Sequence, residues 1–209
     1  MTRLMGIKII AAFIMIFVST SIIFIMTETG KNISDIEPSP SYRQEGNPKA
    51  KIIIIEYSDF ACPACANAYI YLKNLIKYFG NDFVVNFKHF PLMTIHPYSF
   101  QAAVWAECAG KEYGKFWEFS DVLIKNRMEW SNNRDFSALF SKYAKEIGIN
   151  PDLMKKCVSE SNAIEIVKKD IEKADKLKLD STPTFFVNGK IAVGLMELIE
   201  LIKKEKNEF

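Results

Sequence analysis

The chain has 209 residues, which is enough for one ordinary domain with an insertion and short for two independent domains. Hydrophobic residues make up 49% of the sequence and charged residues 25%, a composition that excludes disordered, collagen-like and low-complexity chains. The 27 Lys and Arg and the 25 Asp and Glu are not segregated, so the sequence shows no electrostatic footprint for nucleic acid. Four cysteines are too few for a small disulfide scaffold, and their spacing therefore carries the information.

Residues 1–27 are predicted to be a targeting segment. Arg3 and Lys8 precede an apolar stretch from Ile9 to Met26, which is the layout of a secretory signal. Cleavage after Ser21 would release the chain, whereas an uncleaved stretch of about 27 Å would approach the roughly 30 Å hydrocarbon core and act as a membrane anchor. Both outcomes predict a periplasmic or extracytoplasmic location, either secreted or anchored.

The next segment, residues 28–48, is predicted to be a flexible linker. It is polar, contains Pro38 and Pro40, and lacks a periodic apolar pattern. The folded domain is then predicted to occupy residues 49–209.

A buried strand followed by a helix is predicted to carry the first two cysteines. Lys51 to Tyr57 contains four consecutive isoleucines, which is typical of a strand buried on both faces of a sheet. Pro63 suits the first position of the helix that follows, which puts Cys62 at the N-cap, where free amide hydrogens and the helix dipole favour a thiolate. Cys65 lies one turn further on the same face, close enough to form a disulfide with Cys62 and to resolve a mixed disulfide.

The remaining pattern predicts a mixed α/β chain. Residues 84–87 form a second strand candidate, and residues 95–180 read as several helices. Asn188-Gly189 is a strong hairpin signal between the apolar runs 185–187 and 191–193, and a final amphipathic helix follows.

Several motifs in this order resemble the DsbA-like thiol:disulfide oxidoreductases of the thioredoxin superfamily. They are Glu56-Tyr57-Ser58-Asp59-Phe60, Cys62-Pro63-Ala64-Cys65, a helical insertion, and Thr182-Pro183-Thr184-Phe185-Phe186-Val187-Asn188-Gly189. The segments Lys88–Leu92, Ala106–Ala109 and Gly114–Trp117 also resemble the branch that has two cysteines in its helical domain. The resemblance, which runs from about Asn47 to the C-terminus, implies a thioredoxin-like α/β fold with an inserted α-helical subdomain.

The resemblance also implies a role for each matching residue. Cys62 would be the exposed attacking cysteine, Cys65 the buried resolving cysteine, and Pro183 a cis-proline packed against their disulfide. Thr182 would present backbone groups to which a client peptide pairs as an extra strand. Glu56 would be the acidic residue beneath the active site and a proton relay for Cys65, although a partly exposed carboxylate at the end of a strand is the alternative.

The second pair of cysteines, Cys108 and Cys157, falls in the predicted helical block. We expect a structural disulfide between them, and two buried free thiols are the alternative. A structural zinc site usually shows two closely spaced ligand pairs, and this chain has only one such pair, so no metal site is predicted. The redox-active cysteine pair is expected to work without a cofactor.

Three polar residues follow the second predicted strand. Lys88 is interpreted either as an ionic partner of Glu56 or as a simple surface lysine. His89 and His96 flank the turn at Pro91 and are expected to organise that loop rather than to take part in catalysis.

The predicted function is an exported protein-disulfide oxidoreductase that introduces disulfide bonds into secreted or envelope proteins. Its partners would be reduced or unfolded exported proteins and a membrane quinone-linked thiol oxidase, and it is expected to act as a monomer without binding nucleic acid. The strongly oxidising relatives carry proline and histidine between the cysteines, whereas this chain has Pro63-Ala64, which leaves its oxidising power open. A reductase or isomerase using the same site, and a non-enzymatic envelope protein with this fold, are the alternatives.

Overall fold

The computed structural model describes residues 36–207. The predicted targeting segment, residues 1–27, lies outside the described residues. The strands and helices named below lie in one compact unit, Glu37–Phe209. Within the described residues, no helix is both long enough and apolar enough to cross a membrane.

Five strands form one mixed sheet in the order β1-β3-β2-β4-β5. The strands are β1 (Gln44–Gly46), β2 (Ile52–Ser58), β3 (Phe83–His89), β4 (Thr184–Val187) and β5 (Lys190–Val193). β2 and β3 are parallel, and the other three pairs are antiparallel. Asn188 and Gly189 have φ values of 46° and 85°, the left-handed conformation that a two-residue hairpin turn between β4 and β5 requires. The strand order makes β2 the central strand, and its carboxyl end leads into the two cysteines.

Eight helices are found among the described residues. They are α1 (Pro63–Phe79), α2 (Ser99–Tyr113), α3 (Phe116–Lys125), α4 (Arg127–Trp130), α5 (Phe136–Glu146), α6 (Pro151–Glu160), α7 (Ala163–Lys176) and α8 (Gly194–Asn207). Leu72 of α1 and Leu198 of α8 belong to one core cluster with Ile54 of β2. The segment from α2 to α7 is inserted between β3 and β4 and contributes most of a second cluster, which includes Trp105 and Phe140. This arrangement confirms the predicted α/β fold with an inserted helical segment.

The inserted helices are joined by a disulfide. Cys108 of α2 and Cys157 of α6 are bonded, with 6.0 Å between their Cα atoms and 49 positions between them in the sequence. Both residues are buried within the second core cluster. The bond links a central helix of the insertion to one of its later helices.

The predicted flexible linker is wrong for its second half. Ser41–Arg43 form a turn of 3-10 helix, and β1 pairs with β3, with Gln44 opposite Asn86. The Arg43 side chain is 2% exposed, and its Nη1 atom lies 2.5 Å from the Asp170 carboxylate on α7. This anchor is made of buried ionic contacts between residues far apart in the sequence, so no apolar periodicity reveals it.

Candidate active site

The turn between β2 and α1 places Cys62 at the N-terminus of the helix. Cys62 is the N-cap residue, with the extended backbone values φ −73° and ψ 126°, and Pro63 opens α1. The Cys62 amide donates to the Asp59 carbonyl over 3.1 Å, which closes the turn before the helix. Cys62 and Cys65 are both free thiols, and they are 7% and 1% exposed. The predicted exposure of Cys62 is therefore wrong, because the Cys62 side chain is buried almost as fully as that of Cys65. The structure confirms the helix start predicted from Pro63, with Cys62 at the N-cap.

The surroundings of Cys62 favour its thiolate. A hydrogen bond from the Cys65 thiol makes the largest contribution, and backbone amides of Cys65 and Ala64 and the Thr182 side chain act in the same direction. Burial opposes them, yet together they lower the pKa of Cys62 from 9.0 to about 5. These amides are the unpaired donors of the first helical turn. The helix N-terminus therefore stabilises the Cys62 thiolate without any contribution from the side chain of Ala64.

Cys65 has the opposite character. Burial, the hydrogen bond to Cys62 and the negative charge of the Cys62 thiolate raise the pKa of Cys65 well above its ordinary value. At neutral pH the reduced pair therefore holds a thiolate at Cys62 and a thiol at Cys65. This difference matches a nucleophile and a resolving partner.

The loop before β4 brings Thr182 to Cys62 and contains the predicted cis-proline, Pro183. The Thr182–Pro183 peptide bond is cis, and the Cys62 sulfur lies 3.6 Å from the Thr182 carbonyl oxygen. The Thr182 hydroxyl is buried and makes no other hydrogen bond among the described residues, so it is free to donate to the thiolate. The Gly194 amide donates to the Pro183 carbonyl over 2.9 Å, which ties this loop to the start of α8.

Glu56 lies in the central strand within electrostatic reach of Cys62. It is 1% exposed, which rules out the partly exposed carboxylate that the sequence left as the alternative. Burial raises the pKa of Glu56 from 4.5 to about 7; a hydrogen bond from Ser58 opposes this shift, and the charge of Cys62 adds to it. Its Oε1 atom has no hydrogen-bond partner among the described residues. Glu56 can therefore exchange a proton near neutral pH.

Both interpretations of Lys88 are wrong. The lysine is 8% exposed, and its Nζ atom lies 3.9 Å from the Asp170 carboxylate rather than at Glu56. The next residue, His89, is 1% exposed, and its Nε2 atom lies 3.1 Å from the Glu107 carboxylate. Both side chains thus join the buried charges around Arg43, because the end of β3 faces α2 and α7.

The structure adds Asp59 and His96, to which the sequence analysis gave no role at the cysteines. The Asp59 carboxylate lies in the turn before Cys62, and His96 Nδ1 is 2.8 Å from its Oδ2 atom. An acidic residue just before a helix N-terminus is the sequence signal for such a turn. The partner 37 positions away has no local signal. Among the described residues, no group of three or more His, Cys, Asp or Glu is placed to hold a metal ion.

Comparison with known proteins agrees with this geometry. A family model described as thioredoxin matches residues 39–204. The crystal structure of oxidised BdbD from Bacillus subtilis superposes with a TM-score of 0.69 at 25% identity and covers 81% of this chain and 95% of its own.

Among curated relatives, a protein of Mycobacterium sp. (strain KMS) named Na(+)/H(+) antiporter NhaA 1 is 35% identical over 76% of this chain and 25% of its own length. The chain thus spans about a quarter of the length of the first curated relatives that it matches. A protein of Rickettsia bellii (strain RML369-C) named a protein-disulfide oxidoreductase is 28% identical over 69% of this chain and 56% of its own length. The chain therefore belongs to the thioredoxin family, and its predicted resemblance to the DsbA-like thiol:disulfide oxidoreductases is confirmed.

Proposed function

We propose that the protein is an exported protein-disulfide oxidoreductase that introduces disulfide bonds into other proteins at Cys62 and Cys65. The observation that carries the proposal is the difference between the two thiols at the start of α1, where Cys62 has a pKa of about 5 and the pKa of Cys65 is well above the ordinary value. A thiolate stabilised in this way is a good leaving group, and it favours the reduced form of the enzyme.

The reaction begins with the Cys62–Cys65 disulfide. A client thiolate attacks the Cys62 sulfur, a client–Cys62 disulfide forms, and the electron pair of the broken bond goes to Cys65, which takes up a proton. A second client thiolate then attacks the client sulfur of the mixed disulfide, and Cys62 leaves as a thiolate. The client gains one disulfide, and the enzyme gains the two electrons and is left as a dithiol.

Two neighbouring groups support these steps. The Thr182 carbonyl, 3.6 Å from the Cys62 sulfur, is the backbone group with which an extended client segment pairs while its own sulfur meets Cys62. Glu56, with a pKa of about 7, supplies the proton to Cys65 when that sulfur leaves and accepts it when the disulfide is restored.

The site of action and the partners follow from the same proposal. The segment at residues 1–27 would place the catalytic unit outside the cytoplasm, where disulfides persist. The clients would be reduced or unfolded exported proteins, and a membrane quinone-linked thiol oxidase would take the two electrons from the dithiol. We propose a monomer, with no nucleic acid among its partners.

Oxidation of a reduced model protein tests this function directly. The oxidised full chain should transfer its disulfide in a stoichiometric reaction, and Cys62→Ser should transfer none. Cys65→Ser is the matched control: it keeps the Cys62 nucleophile but cannot form the Cys62–Cys65 disulfide, so it too should transfer none to the reduced client. Mixed with an oxidised model protein instead, its Cys62 thiolate should attack that protein's disulfide and accumulate a mixed disulfide, with the second client sulfur leaving as a thiolate. Full activity of Cys62→Ser would refute the proposal.

A further inference from the structure

The turn before Cys62 is held by a carboxylate–imidazole pair that the thiol exchange itself does not use. The Asp59 side chain is fully buried, and the His96 side chain is 18% exposed. Asp59 Oδ1 accepts the Ala61 amide over 2.7 Å. Asp59 Oδ2 accepts the Leu92 amide over 2.8 Å and faces His96 Nδ1 at 2.8 Å. One carboxylate therefore joins the turn before α1 to the loop after β3.

The main chain of the same residue reaches both cysteines. The Asp59 carbonyl accepts the Cys62 amide over 3.1 Å. The Asp59 amide is a donor to the Cys65 sulfur, although burial dominates the environment of that thiol. A rotation of Asp59 would thus displace the nucleophile and the resolving cysteine together.

Hydrogen bonds to its main chain fix the position of His96. Its amide donates to the Leu92 carbonyl over 2.9 Å, and its carbonyl accepts both the amide and the hydroxyl of Ser99, at the start of α2, over 3.2 and 2.9 Å. A carboxylate only accepts hydrogen bonds, so Nδ1 is the nitrogen that carries hydrogen. A buried carboxylate with too few donors is costly, and the imidazole supplies the donor that the backbone does not.

A second contact holds the same turn on its other side. Arg127 Nη1 of α4 donates to the Ala61 carbonyl over 3.3 Å. The turn is thus held from the loop after β3 and from the helical insertion, and the charge of Cys62 acts on Glu56 in the central strand. Of these groups, only Asp59 bonds to the turn through both its side chain and its main chain.

We propose that Asp59 and His96 are positioning residues for thiol–disulfide exchange, because their hydrogen bond holds the turn so that the Cys62 sulfur stays in line with the amides that open α1. This inference rests on the proposed function and deepens it. Without the bond, the turn gains freedom, the amides of Ala64 and Cys65 lose their alignment, and the thiolate loses stabilisation. The effect reaches the sulfur through the backbone, without contact between His96 and the client.

Two substitutions at one position separate the hydrogen bond from the ring. His96→Leu removes the donor, whereas His96→Asn places an amide nitrogen where Nδ1 stands and keeps the bond to Asp59. Tyr143→Phe is the matched control: it removes a 2.7 Å hydrogen bond to the Glu129 carboxylate within the helical insertion. The reduced full chain is alkylated with iodoacetamide across pH, and mass spectrometry follows the peptide that carries Cys62.

The expected result is a selective shift of the alkylation profile. Near pH 4, below both midpoints, His96→Leu should react about tenfold more slowly than the native chain, because a midpoint raised by one pH unit corresponds to a tenfold change in the thiolate constant. Near pH 6 the same shift should slow the variant by only about twofold. His96→Asn and Tyr143→Phe should follow the native profile. If His96→Leu does not fold, His96→Gln, whose amide lies one atom further along the side chain, is expected to show the same slowing.

Two results would overturn the inference, and they are distinguishable. If the native profile has an acidic midpoint and the folded His96→Leu or His96→Gln variant has the same profile, the positioning role is refuted and the proposed function stands. The same conclusion follows if Tyr143→Phe shifts the profile as much as His96→Leu does. A native profile with the midpoint of an ordinary cysteine removes both proposals.

Discussion

Ionisation of the buried Glu56 carboxyl destabilises the folded protein. Its pKa is about 7 in the folded protein and 4.5 for an ordinary glutamate. Between these values the folded state holds a proton that the unfolded state has already lost. The stability that belongs to the protonated carboxyl is therefore complete below about pH 4.5 and is lost as the pH rises through about 7.

Glu56→Gln should consequently make the protein more stable in alkali but not in acid. We expect the free energy of unfolding at about pH 8 to rise by on the order of 2 to 3 kcal/mol, because one pH unit corresponds to 1.36 kcal/mol, and the two proteins to converge near pH 4. Urea unfolding of the oxidised proteins at both pH values measures this. Equal stability at pH 8 would show that the carboxylate is not desolvated.

Thr182 should tune the Cys62 thiol through its hydroxyl. Thr182→Val keeps the shape but removes the donor, and a hydrogen bond to a charged group is worth about 1.5 kcal/mol, so the pKa of Cys62 should rise by about one pH unit. The thiolate absorbance near 240 nm measures it. Thr184→Val is the control, since its hydroxyl donates to the Ser181 carbonyl over 2.8 Å. A rise in Thr184→Val equal to that in Thr182→Val would contradict the assignment.

At the scale of elements, strand β1 and its turn are fastened by Arg43. Its guanidinium lies between Asp170, at 2.5 Å, and Glu107, at 3.4 Å. Removing one partner of a buried ion pair leaves uncompensated charges, which costs about 3 to 5 kcal/mol. Arg43→Met should therefore lower the free energy of unfolding by that amount in a urea titration.

An exposed pair on α7 supplies the comparison for Arg43. Lys168 lies 3.0 Å from Glu165, and both side chains are more than half exposed. Lys168→Met should change the free energy of unfolding by less than about 1 kcal/mol. If Arg43→Met lowered the free energy of unfolding as little as Lys168→Met does, the first strand would not be an integral part of the domain.

The disulfide between α2 and α6 should contribute to stability and not to exchange. Closing a loop of 49 positions is worth about 4 kcal/mol in the chain-entropy model. The double variant Cys108→Ala, Cys157→Ala should lose about that free energy of unfolding and keep the alkylation profile of Cys62. A loss below about 1 kcal/mol would contradict a stabilising role, and a shifted profile would couple this bond to the active site.

At the scale of the whole molecule, local patterns predict the parts and long-range contacts decide their assembly. The isoleucine run of β2 and the position of Pro63 locate Cys62 at the start of a helix, because both signals lie within a few residues. Thr182, which is 120 positions from Cys62, is placed beside it only by the family resemblance, since no periodicity spans that distance.

The buried polar contacts that were not predicted from the sequence share one physical cause. Arg43 meets Asp170 across 127 positions and His96 meets Asp59 across 37. Each is a polar contact made only after the sheet and the inserted helices have packed together. Apolar patterning determines which face of an element is buried, but it carries no information on which buried charges meet.

The reduction potential of the Cys62–Cys65 pair tests the central claim most directly, because it reports the direction in which the molecule moves electrons. The full chain is equilibrated with glutathione buffers, and the Cys62 and Cys65 peptides are quantified separately from Cys108 and Cys157. Since the Cys62 thiolate stabilises the reduced form, we predict a value near those of strong exported oxidants, about −120 mV. A value near that of thioredoxin, about −270 mV, would contradict disulfide donation and indicate a reductase.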